Sequence, residues 1–293
     1  MGTVEIQRVA VIGAGQMGRG IAQVAASAGL SVVLSDVTMD AAQGGKKTIG
    51  AILSRLVEKG KLSEAESKAT LERITCSGAG EGLGDCGMAI EAATEHFETK
   101  LEIFKRTDAA LPKDALLATN TSSISITKLA AATSRPELVI GIHFMNPVPL
   151  MKLVEIVNGV QTSKATYEST FALATRLGKT VVTSNDAPGF MVNRILIPML
   201  CEAAFALQEG VGTAADIDTG AKLGLNHPMG PLELADLIGL DTVLSIANVL
   251  HENFGDSKYR APNNLKNLVA AGWLGKKTGR GFYRYDDKGQ KLS

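Results

Sequence analysis

At 293 residues the chain is long enough for one large domain or two ordinary ones. It is 45% hydrophobic and 20% charged, with no formal net charge. That is a soluble, globular balance without the footprint of a nucleic-acid binder or a basic membrane patch. Three scattered cysteines, Cys76, Cys86 and Cys201, have neither metal-ligand nor redox spacing, and no apolar run approaches the roughly 18–20 residues of a membrane span, so a reducing, cytoplasmic setting with no metal, nucleic-acid or membrane partner is expected.

The first segment, Arg8-Val9-Ala10-Val11-Ile12-Gly13, reads as a buried strand. A helix rich in small residues follows from Gln16 to Ala28 and stops at Gly29. Ser31-Val32-Val33-Leu34-Ser35-Asp36 is the next strand, which completes one βαβ unit and implies a parallel sheet. A long helix is expected over 39–59, with Ile49, Ile52, Leu53 and Leu56 on one apolar face and Gly60 as its stop. Ser63 and Glu66 have capping-box spacing and open another helix. The two helices make a hairpin, about 39–73, larger than a crossover needs. Further strands are expected at 88–92, 115–119, 138–144, 153–157 and 179–182, with helices near 98–110 and 164–177.

The pattern changes after Asp186-Ala187-Pro188-Gly189. Helical periodicity runs through 190–270 and strand alternation stops. The expected architecture is therefore α/β. A doubly wound, Rossmann-like sheet with an inserted helical hairpin fills 1–187, and a smaller all-helical domain fills 188–293.

Gly13-Ala14-Gly15-Gln16-Met17-Gly18 fits G-x-G-x-x-G between a strand and a helix, the context that gives this motif meaning. The glycines allow a tight turn, close approach of a pyrophosphate and close helix packing. The first helical amides and the helix dipole favour phosphate charge. Gly13, Gly15, Gln16, Met17 and Gly18 are thus candidate cofactor contacts. Asp36, ending the second strand, is placed to accept from an adenosine ribose hydroxyl and to repel a 2′-phosphate, which favours NAD over NADP. The bland alternative is a plain glycine turn with a surface acid.

A dinucleotide makes hydride transfer the leading reaction class, and removing hydride from a carbinol carbon calls for a base at the hydroxyl. Among the four histidines, His143 alone lies near the carboxyl end of a sheet strand. Glu155 follows twelve residues later, beyond the double-proline turn Asn146-Pro147-Val148-Pro149. If the flanking runs pair antiparallel about that turn, the two side chains face each other. Such a pair is either a base held by an acid or a satisfied core pair. Ser122, just after the 115–119 strand, is either a donor to a substrate oxygen or a helix-capping serine.

These segments together resemble the L-3-hydroxyacyl-CoA dehydrogenase family, and its bacterial 3-hydroxybutyryl-CoA dehydrogenases in particular. The match includes 13–18, Glu91-Ala92-Ala93-Thr94-Glu95, 120–123, 141–149, 151–155, 186–194 and 275–283, in collinear order over nearly the whole chain. The resemblance implies that His143 is the general acid and base, that Glu155 is its partner, and that Ser122 and Asn193 bind substrate. It implies cofactor contacts at Glu95, Lys100 and Asn120, a short-chain acyl-CoA substrate, NAD as cofactor and a homodimer. Arg55 and Lys59, i and i+4 on the hairpin, would meet the coenzyme A phosphates or else form a solvated basic face. Two departures are small. Met145 stands where the family often has a second aromatic, and Glu58 stands beside Lys59 where another cation is often found. Competing readings are a dehydrogenase of a free hydroxy or sugar acid and a non-catalytic protein that keeps the fold.

Overall fold

A computed structural model describes residues 5–292. The chain divides into two compact units, Met1–Ala187 and Pro188–Ser293.

The first unit runs β1 (Arg8–Ile12), α1 (Gln16–Ser27), β2 (Ser31–Asp36), α2 (Met39–Glu58), α3 (Glu64–Glu72), β3 (Ile74–Gly78), β4 (Met88–Glu91), α4 (Phe97–Ala110), β5 (Leu116–Thr119), α5 (Ile126–Ala130), β6 (Val139–Phe144), β7 (Leu153–Asn158), α6 (Lys164–Arg176) and β8 (Thr180–Asn185). The strands form one sheet in the order β3-β2-β1-β4-β5-β6-β7-β8. Every neighbouring pair is parallel except β6 with β7. The winding direction reverses between β1 and β4, which makes this a doubly wound, Rossmann-like sheet with its switch point there.

Central strands are buried along their length, so they read as continuous apolar runs. Val9, Val11, Ile90, Ala118, Ile140 and Ile142 pack with Ile21 and Ala25 of α1 in one core. The α2–α3 hairpin forms with the expected capping box. Ser63 Oγ accepts from Glu66 N at 3.2 Å, and Glu66 Oε2 accepts from Ser63 N at 2.9 Å. On α2, Ile49 and Leu53 are buried but Ile52 is 39% exposed, so the apolar stripe is narrower than the sequence pattern suggests.

Two elements escape the sequence reading. Strand β3 is Ile-Thr-Cys-Ser-Gly, an edge strand with only Ile74 and Ser77 buried, too polar to register as an apolar run. Helix α5 is five residues long, too short to show a period.

The second unit contains α7 (Val192–Gln208), α8 (Ala214–Gly224), α9 (Pro231–Ile238), α10 (Leu240–Phe254) and α11 (Asn263–Ala270). Isolated antiparallel bridges follow in the last segment. Burial pushes the Cys201 thiol up to about 11, as suits a small core residue on α7.

Two buried aspartates organise this unit. Asp218 of α8 accepts from Leu232 N at 2.8 Å and Glu233 N at 3.0 Å, the open amides of the first turn of α9. Asp236 of α9 accepts from Phe282 N, Tyr283 N and the Tyr285 hydroxyl, each at 2.9 Å. Burial pushes the Asp236 carboxyl up, against those hydrogen bonds. The motif around Gly279-Arg280-Gly281 is thus fastened to α9 by one carboxylate.

Asp236→Ala strands three donors, so it should destabilise this unit by about 3 kcal/mol. The single tryptophan, Trp273, lies under the Arg280 guanidinium at 3.3 Å in the same segment. Urea unfolding followed by its fluorescence should show the loss. A change below about 0.5 kcal/mol, the level of an ordinary surface substitution, would contradict the fastening.

Candidate active site

The carboxyl ends of β1, β4, β5 and β6 carry the residues of interest. At β1 the chain turns through Gly13, whose φ is +107°. A Cβ there would meet Ala92 O at 2.7 Å, so the turn lies directly against the chain leaving β4. A Cβ on Gly18 would meet Gly13 O at 1.7 Å, which ties the start of α1 to the turn. By contrast, a Cβ on Gly15 would meet nothing within 4 Å, so the loop backbone there faces open space. A tight turn, open backbone and helix N-terminus at a sheet switch point fit a dinucleotide pyrophosphate.

Asp36 closes this loop. Its Oδ2 accepts from Ala14 N at 2.6 Å and its Oδ1 from Val37 N at 2.7 Å. The carboxylate therefore fixes the glycine turn as well as ending β2, with further lone pairs available to a ribose hydroxyl. Gln16 Nε2 donates to Asn146 Oδ1 at 3.1 Å, linking the start of α1 to the turn after β6.

The β6–β7 register places His143 opposite Glu155. His143 is 6% exposed and Glu155 fully buried, with Nδ1 and Oε2 3.1 Å apart. Lys179 Nζ secures the connecting turn by donating to Val148 O at 2.6 Å and Met151 O at 2.8 Å. Asn120 Oδ1 accepts from Phe144 N at 2.8 Å and so ties the end of β5 to the end of β6.

On the other side of the ring, His143 Nε2 lies 3.3 Å from Ser122 Oγ. A carboxylate only accepts, so Glu155 selects the tautomer with the proton on Nδ1. Nε2 is then a base aimed at the Ser122 side. Serine, histidine and glutamate in this order also occur in acyl-transfer triads. Such a centre needs main-chain donors aimed at an oxyanion. Here the N–H groups of Ser122 and Ser123 both donate to Glu95 Oε1, at 2.7 and 3.1 Å. The arrangement suits movement of a proton at Nε2 better than acyl transfer.

Glu95 is therefore the anchor of the 121–123 loop, and Oε1 also accepts from Thr121 Oγ1 at 2.6 Å and Ser123 Oγ at 3.1 Å. Its side chain is 43% exposed, so it still reaches solvent where a cofactor would lie. Lys100 is 2% exposed, and its ammonium donates to both oxygens of Glu91. The sequence reading places Lys100 at the cofactor. The structure places its ammonium beneath Glu95, 3.6 Å from Oε2.

The carboxylate that receives Lys100, Glu91, escaped attention as a site residue. The available signal was an acid ending the apolar run Met88-Ala89-Ile90, in a strand flanked on both sides. Arg55, in the last turn of α2, and Lys59, its C-cap residue, are both exposed. Asn193 is buried in the first turn of α7, in the second unit. Among the described residues no group of three or more His, Cys, Asp or Glu is placed to hold a metal, and no single helix is long and apolar enough to cross a membrane.

Comparison with known proteins gives this geometry a context. Residues 8–187 match the 3-hydroxyacyl-CoA dehydrogenase NAD binding domain, and residues 189–285 match the 3-hydroxyacyl-CoA dehydrogenase C-terminal domain. A 3-hydroxybutyryl-CoA dehydrogenase of Bradyrhizobium diazoefficiens is 55% identical over 96% of both chains. A probable 3-hydroxybutyryl-CoA dehydrogenase of Bacillus subtilis is 52% identical over 97% of this chain and 99% of its own. The crystal structure of the (S)-3-hydroxybutyryl-CoA dehydrogenase of Ralstonia eutropha superposes with a TM-score of 0.94 at 49% identity, covering 97% of this chain and 100% of that one. The chain belongs to the 3-hydroxyacyl-CoA dehydrogenase family.

Proposed function

We propose that the protein is an NAD-dependent oxidoreductase that interconverts a short-chain (S)-3-hydroxyacyl-CoA and the matching 3-oxoacyl-CoA, with 3-hydroxybutyryl-CoA and acetoacetyl-CoA as the favoured pair. The observation that carries the reading is the Ser122–His143–Glu155 line beside a dinucleotide loop, with distances of 3.3 and 3.1 Å. The names of the relatives at 55% and 52% identity supply the substrate class.

The residues divide the work as follows. Gly13, Gly15, Gln16, Met17 and Gly18 hold the pyrophosphate, and Asp36 takes the ribose. NAD supplies the acceptor and donor of hydride at the substrate C3. In oxidation, His143 Nε2 takes the C3 hydroxyl proton, and Glu155 stabilises the imidazolium through Nδ1–H. In reduction, the same Nε2 returns the proton. The Ser122 hydroxyl shares the Nε2 site with the substrate oxygen and donates to it. Asn193 is assigned a substrate contact, and Asn120 a place at the nicotinamide end, by the family resemblance. Arg55 and Lys59 meet the phosphates of coenzyme A from the end of α2. The reading extends to a homodimer in the cytoplasm.

Loss of NADH absorbance with acetoacetyl-CoA tests the activity. No consumption with acetoacetyl-CoA, but consumption with free oxo acids, would move the reading to the free-acid dehydrogenases. Replacing His143 by Gln should lower kcat by roughly 10²–10⁴-fold, the usual effect of losing a general acid–base group. Turnover near that of the unmodified enzyme would remove His143 from the role.

Arg55→Ala with Lys59→Ala should raise KM for acetoacetyl-CoA by roughly 3- to 10-fold, as two exposed ion pairs allow. The affinity for NADH should stay unchanged. An unaltered KM would return both residues to a solvated surface.

A further inference from the structure

Glu91 ends β4 and is completely buried. Three donors converge on it in four hydrogen bonds. Oε1 accepts from Ala93 N at 2.8 Å and Lys100 Nζ at 2.8 Å, and Oε2 accepts from Lys100 Nζ at 2.6 Å and Thr119 Oγ1 at 2.7 Å. Burying this charge and its lysine costs solvation that attraction alone seldom repays, and apolar residues of similar volume often serve stability as well or better. Stability is thus a poor reason for the pair.

Position supplies a better one. Two routes lead from Glu91 to the serine loop. Lys100 holds Glu95 through Oε2 at 3.6 Å, which leaves Oε1 to collect the donors of Thr121, Ser122 and Ser123. Thr119 Oγ1 donates to Glu91 and accepts from Thr121 N at 3.2 Å. Both routes end on the segment that sets Ser122 Oγ 3.3 Å from His143 Nε2. Without the Glu91 charge, the Lys100 ammonium has Glu95 as its nearest carboxylate. It then pulls Glu95 toward itself and off the loop.

We propose that Glu91 is a positioning residue for proton transfer: its buried carboxylate holds Lys100 and Thr119 so that Glu95 can fix Ser122 at the His143 base. This rests on the reading above, in which Ser122 and His143 act on the substrate oxygen.

A kinetic double-mutant cycle between Glu91→Gln and Ser122→Ala tests it. Glu91→Gln should lower kcat by roughly 10- to 100-fold, since displacement by about 1 Å can cost that much. KM for acetoacetyl-CoA should move by less than about two-fold. In the Ser122→Ala background the same substitution should lower kcat by less than about three-fold, because the residue it positions is gone. A destabilised but otherwise indifferent fold would lose the same factor in both backgrounds. Equal losses, or a Glu91→Gln enzyme with unchanged kcat, would overturn the proposal while leaving the roles of Ser122 and His143 intact. A Ser122→Ala enzyme with unchanged kcat would overturn that underlying reading, and the proposal with it. Should Glu91→Gln fail to fold, Thr119→Val removes one of the two routes without touching a charge. It should give a smaller kcat loss that again disappears beside Ser122→Ala, and a loss that persists there would count against the proposal.

Discussion

The antiparallel register of β6 and β7 places His143 across from Glu155, and the proposed proton transfer rests on that pairing. Side chains alternate faces along a strand, so a slip of one residue would turn the histidine away from its carboxylate. Several features pin the register. Lys179 holds the turn by two main-chain carbonyls. Asn120 fastens Phe144, the residue after the histidine, to β5. Strand β8 supports β7 from the outer side. The proposed base is thereby held by main-chain pairing rather than by a mobile loop.

The glycine turn, Glu95 and Ser122 come from the segments at the carboxyl ends of β1, β4 and β5 in the same sheet. The turn after β1 leans on the chain leaving β4 through Gly13. The chain after β4 supplies Glu95, which gathers the loop after β5. That loop supplies Ser122 to the histidine of β6. Each loop is thus fixed by its neighbour, and the buried Glu91–Lys100 pair lies under the middle of the series. A network of this kind is stiff when every donor and acceptor is matched, which suits the proposed transfer of a proton between fixed groups.

Much of this was legible in the sequence because it was local. The double-proline turn between two β-rich runs announced the hairpin, and the runs are long enough to fix who faces whom. The glycine loop announced itself by lying between a strand and a helix. Strand β3 was not legible, since Thr75, Cys76 and Ser77 carry no apolar run at a sheet edge. The apolar stripe of α2 was overdrawn at Ile52, because spacing gives a face but not what covers it. The setting of Lys100 was hidden for a different reason. Its partner Glu91 lies nine positions away on another element, and only the packing of α4 on the sheet brings the two together. Family resemblance pointed to Lys100 and Glu95, but the division of labour between them is a property of the folded chain.

In the proposed mechanism Glu155 keeps the His143 proton on Nδ1 and leaves Nε2 as the working base. The nitrogen-15 NMR shifts of the His143 ring, assigned by comparison with a His143→Gln sample and recorded where the imidazole is neutral, test this most directly. The expected result is a protonated Nδ1 and an unprotonated Nε2. A ring with its proton on Nε2 and a bare Nδ1 facing Glu155 would contradict it.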